Sequence, residues 1–152
     1  MAEKNLTPVF VIDPAPVPWP VDVRVPAAGG EFVIQRFTAL LNVLSEKEHA
    51  DLHASLTPAP DAQDKTEADH LADNARLFSF LVAGWEGVMH ADGTPVTFTS
   101  TKLTDLVTGP HGKAVSAGLW QAVAEVRHGV RLGNFAAPPV TGSDATTAAP
   151  TS

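Results

Sequence analysis

The sequence predicts an α+β fold: an N-terminal β-hairpin followed by a mostly helical body of about four helices, with disordered termini. Three observations point there. VDVRV, Val21 to Val25, alternates apolar and polar residues, the period-2 pattern of a half-buried strand. Gly29-Gly30 then offers a reversal into a second β-rich run. From Glu67 onward apolar residues recur every three or four positions, as on one face of an amphipathic helix.

The first 18 residues read as an extended arm. PAPVPWP, Pro14 to Pro20, cannot continue a helix and lacks several backbone donors, so a polyproline-like lead-in is expected. Pro26 ends the first strand, and the hairpin spans 21–38, with its second strand from Glu31 to Thr38. A lone two-stranded hairpin is marginal in water. It requires a helix on one face or strands donated by another copy.

Ser45 and Glu48 have the spacing of a capping box, which starts a helix over 46–55. Thr57 to Thr66 is polar and rich in breakers, a connector. The longest helix is predicted over 67–85, with Leu71, Ala75, Phe78, Val82 and Trp85 on one face. Acidic residues at Glu67, Asp69 and Asp73 suit its positive N-terminal end. Asp92-Gly93 and Pro95 turn the chain, Ser100 caps a helix over 101–107, and Pro110 opens a last helix over 110–128 that Gly129 stops. A single domain thus covers 19–135, and 136–152, with no large apolar residue after Val140, reads as disordered. The expected core is Phe37, Leu71, Phe78, Leu81, Val82, Trp85, Leu103, Leu106, Leu119, Val123 and Val126.

Composition narrows the function. Ten Lys plus Arg against 17 Asp plus Glu give a net charge of -7, and the basic residues form no stripe suited to phosphates, so no nucleic-acid partner is expected. No apolar run approaches the ~20 residues of a membrane span. A cytosolic protein without membrane contact is the expectation. With 0 Cys the chain has neither thiolate metal sites nor thiol nucleophiles.

Catalytic motifs are sparse. His49 and His53 lie four apart, a spacing metal sites use, but Ala50 stands where the zinc-protease pattern needs Glu and no third ligand is fixed nearby, so two solvated histidines are expected instead. DHLAD, Asp69 to Asp73, is explained by helix-end electrostatics rather than acid-base work. His111 and Lys113 sit in a glycine-flanked turn that lacks the ending of a phosphate loop. No enzyme, cofactor or metal is therefore expected. Trp19 stands outside any periodic element, where an aromatic is either clamped onto its own domain or presented to a partner.

WPVDVRVPAAGGEFVIQRFTALLNVLSEKE, then FLVAGWEGVMHADGTPVTFTSTKLTDLV, then a helix ending near Gly129, resembles a family of tailed-bacteriophage tail assembly chaperones over about residues 19–130. The most distinctive part is the VxGWEGVxxxDGxPxxF elbow, Val82 to Phe98. The resemblance implies a non-catalytic late protein of virion assembly, acting in the host cell cytoplasm and absent from the mature virion. It would bind the tape-measure protein and keep it soluble until tail-tube protein polymerises around it, with self-association of the chaperone. The alternative is a structural tail or neck component retained in the virion. Partner contacts are expected at Trp19, Val17, Val21, Val23, Phe32 and Ile34, on the arm and the free face of the hairpin.

Overall fold

The computed structural model describes residues 8–55 and 65–131. The expected tail over 136–152 and nearly all of the Thr57–Thr66 connector lie outside the described residues. The elements run β1 (Val17–Ala27), β2 (Glu31–Leu41), α1 (Glu46–Ser55), α2 (Glu67–Leu81), β3 (Val82–Glu86), α3 (Ser100–Thr108) and α4 (Gly112–His128). A three-stranded antiparallel sheet, ordered β1-β2-β3, thus packs against the helices, with α1 and α2 lying between β2 and β3 in the chain, an α+β fold.

The hairpin is longer than the alternation predicts. β1 and β2 pair in unbroken register from Val17↔Leu41 to Ala27↔Glu31 through a short turn at Ala28–Gly30. Pro18, Pro20 and Pro26 do not interrupt β1, for a geometric reason. They share the parity of Asp22, whose carbonyl oxygen faces α4 rather than β2. Nitrogens at those positions also point away from β2, so the missing N–H groups cost no ladder bond on this edge strand. Part of the predicted arm, Val17 to Pro20, is therefore sheet.

The second correction is β3. The long helix ends at Leu81, not Trp85, and Val82–Glu86 joins the open side of β2. The register passes from Ala39↔Trp85 and Leu40↔Gly84 to Leu41↔Val82, leaving Ala83 as the extra residue of a bulge. Ala39 and Leu41 both face the core, so Val82 and Trp85 do as well. A bulge turns the strand period of two into a local spacing of three. That spacing is why Val82 and Trp85 look like a continuation of the helical face.

Helix ends follow local chemistry. Ser45 and Glu48 form the expected capping box, Glu48 N–H donating to Ser45 Oγ at 3.1 Å and Ser45 N–H to Glu48 Oε1 at 2.8 Å. Thr66 and Asp69 form a second one at α2. Thr99, rather than Ser100, caps α3 by accepting from Lys102 N–H at 3.0 Å. Pro110 precedes α4, whose N-cap is His111.

The core lies between the inner face of the sheet, with Val21, Phe37, Ala39 and Leu41, and the buried faces of α2, α3 and α4, with Phe78, Leu81, Leu103, Val107 and Leu119. Leu71, Leu106 and Val126, expected in the core, are only half-buried. α4 crosses β1 at Gly118, where a Cβ would overlap the Asp22 carbonyl oxygen and lie 3.0 Å from Val21 Cγ1. Trp85 joins three segments: its ring meets Phe37 edge-on at 6.2 Å and Phe98 at 5.0 Å, and its Nε1–H donates to the Val96 carbonyl at 2.7 Å.

Two stability predictions follow from these contacts. Ala has the higher helix propensity by about 1 kcal/mol, yet Gly118→Ala lowers the urea midpoint because α4 must move off β1. Trp85→Ala costs about 3 to 5 kcal/mol in the same measurement. A midpoint that rises for the first variant, or stays for the second, would contradict the packing.

Candidate functional site

The predicted contact residues divide into two groups. Val21 and Val23 are core residues, on the face of β1 that the helices cover. They are not on a free face. Val17 and Trp19 share that face and are half-buried. Trp19 is clamped: its Nε1–H donates to Glu125 Oε1 at 2.7 Å, and the Arg131 guanidinium lies 5.7 Å from its ring. Glu125 is only 2% exposed and also meets Arg131 at 3.5 Å.

Phe32 and Ile34 are exposed, and both lie on the outer face of β2. Val33, which the sequence reading left out, is exposed on the inner face just beyond the reach of the helices. Three apolar residues in succession beside a glycine turn were the available signal, since alternation would have hidden every other one. The Arg24 guanidinium sits 4.7 Å from the centre of the Phe32 ring, a cation-π contact that covers one side of it.

Around this distal half of the hairpin the surface has two shallow recesses. The outer one is lined by Asp22, Arg24 and Phe32 of the hairpin with Lys113, Ala114 and Ala117 of α4. Arg24 and Lys113 put two cations on its rim beside Asp22, Lys113 lying 3.3 Å from Glu67. The inner one, about 260 Å³, runs between Val23, Val25 and Phe37 and the elbow residues Val88 and Met89, with Leu106 and Val115 beneath.

The elbow that forms one wall is a small ordered turn. His90 N–H donates to the Thr94 carbonyl at 2.8 Å and Val96 N–H to the Val88 carbonyl at 2.8 Å. Asp92 accepts from Thr94 N–H and Oγ1–H at 2.9 and 2.7 Å, which holds its carboxyl below the usual range. The Asp92 carboxylate is thus spent on Thr94 within the turn.

Of the two histidines singled out for metal spacing, His53 is exposed as expected and only His49 is not solvated. His49 is 4% exposed, and His53 stacks on Trp120 with centroids 6.1 Å apart. Among the described residues no group of three His, Cys, Asp or Glu is placed to hold a metal ion, and no helix is long and apolar enough to cross a membrane. Burial pushes the His49 imidazole below its ordinary value, and Arg127 adds to this. Arg127 itself makes two bonds to Glu46, at 2.7 and 2.6 Å, tying α1 to α4. That pairing lowers the Glu46 carboxyl.

No protein-family model, curated protein or solved structure matches this chain.

The depressed His49 value has a definite sign. The unfolded chain protonates this imidazole at about 6.5, the folded one only at lower pH, so His49 favours the fold at neutral pH and that contribution is lost as pH falls from about 6.5 through the folded value. Urea midpoints should drop between pH 7.5 and 5.5 in the wild type. The drop should be smaller in His49→Gln.

Proposed function

We propose that this protein is a non-catalytic tail assembly chaperone that binds the tape-measure protein and keeps it soluble until tail-tube polymerisation. The observation that carries the reading is the exposed apolar end of the hairpin, Phe32, Val33 and Ile34, held on a framework that the core fixes. Large apolar groups clustered on the surface favour contact with another macromolecule. The resemblance over residues 19–130 supplies the client's identity.

The chemistry of the outer recess suits such a client. Its floor, Phe32 with Ala114 and Ala117, accepts the apolar face of a helix, and Arg24 and Lys113 pair with acidic residues flanking that face. The net negative charge of the rest of the chain keeps a covered client dispersed. Shallow contacts of this kind are individually weak, and incoming tube subunits can replace them one at a time.

Co-expression with the tape-measure protein of the same genome, followed by size exclusion with light scattering, tests the reading. The wild type should hold the client in a soluble complex of many copies. Phe32→Asp with Ile34→Asp should lose it while keeping the wild-type melting temperature, a cost of about 2 kcal/mol or more per contact, roughly thirtyfold in affinity. Trp19→Ala is a poorer probe because it also unclamps Glu125. Absence of any complex, with the chain recovered in purified particles, would instead support a structural tail or neck component.

A further inference from the structure

The sheet is unfinished on one side. β3 pairs only with Thr38–Leu41 of β2, and at Gly87, with φ +88°, the strand pairing stops, although Gly87 still lies against Phe37. Glu31–Arg36 therefore has β1 along one edge and, among the described residues, no strand along the other. Because Asp22 directs its carbonyl away from β2, its partner Arg36 directs its own backbone groups away from β1, and Ile34 and Phe32 follow at the same parity. Their N–H and C=O groups face the open edge.

Edges exposed in this way are normally blunted by prolines, charges or a covering helix. β1 has all three: Pro18, Pro20 and Pro26, Asp22 and Arg24, and α4 beside it. The open length of β2 has no proline, and between Glu31 and Arg36 it carries Phe32, Val33, Ile34 and Gln35. Its flanks are apolar on both faces, with Phe32 and Ile34 outside and Val33 and the inner recess inside.

The chain also holds a segment with the complementary defect. Val9-Phe10-Val11-Ile12 is apolar without interruption and 68% to 90% exposed at every position. A strand between two apolar flanks must be apolar on both faces, and here Val9 and Val11 supply one face and Phe10 and Ile12 the other.

We infer that the open edge of β2 over Glu31–Arg36 receives Val9–Ile12 of a second copy of this chain as an added strand. The chain's own arm is too short for this. It enters the sheet at Val17, opposite Leu41. From there, reaching a position beside Arg36 means descending five residues of β2 and crossing two strand spacings, about 19 Å in a straight line. The five residues from Val17 back to Ile12 span about 17 Å when fully extended, and β3 stands in the direct path. A second molecule has no such limit. The added strand meets β2 at its edge and in the inner recess, so it lengthens the outer recess rather than filling it, and the inference does not depend on the client.

Because the chain has no cysteine, thiols can be placed at will. Phe10→Cys and Val11→Cys, which face opposite sides of the strand, are each mixed with a size-tagged Ile34→Cys variant and oxidised. One of the two mixtures should give a disulfide-linked heterodimer in excess over homodimers. Light scattering on the cysteine-free chain should show a dimer or larger, and Phe10→Asp with Val11→Asp should return it to a monomer with unchanged melting temperature. A monomeric wild type, an oligomer indifferent to the aspartates, or no heterodimer from either mixture would overturn the inference. None of these readouts involves the tape-measure protein, so they stand or fall separately from the chaperone reading.

Discussion

The rest of the structure depends on the contacts of Trp85. Its ring packs against Phe37 from β2 and Phe98 from the segment before α3, while its indole N–H is spent on the Val96 carbonyl within the elbow. One side chain thus fixes how β3 lies on the hairpin and where the chain re-enters the helical body. A buried indole needs such a partner for its N–H. The elbow supplies it and becomes the far wall of the inner recess.

From that anchor the exposed surface follows. The helices cover the sheet only as far as Val23 and Phe37, because α4 is pinned to β1 at Gly118 and the pairing of β3 stops at Gly87. The remaining turn of the hairpin extends past the core with its apolar residues uncovered on both faces. The proposed client contact on the outer face and the proposed strand addition along the edge would use different parts of this same projection, one through side chains and the other through backbone groups. Both are consequences of a hairpin longer than the body that supports it.

Buried polar groups set the limits of what local pattern could reveal. Glu125 lies on the helical face next to Val126, and nothing nearby in sequence announces that Trp19, 106 positions earlier, will donate to it. Arg127 and Glu46, an exposed pair, are likewise 81 positions apart. His49 looks solvated within α1, because its cover comes from other elements, with Leu41, Val123 and Val126 lining the same recess.

What the sequence determined by itself is whatever is decided within a few residues. The α+β order, the Gly29-Gly30 reversal, the capping box at Ser45 and Glu48, and the span 46–55 all come from short-range hydrogen bonding and hydrophobic period. Tertiary structure decided the rest. Pro18, Pro20 and Pro26 could be strand residues only because β1 is an edge whose odd and even positions face different neighbours, and Val82 with Trp85 could be a strand only because a bulge in β3 at Ala83 aligns both with the core. A spacing of three is common to a helical turn and a bulged strand, and only the presence of an open strand to pair with separates them.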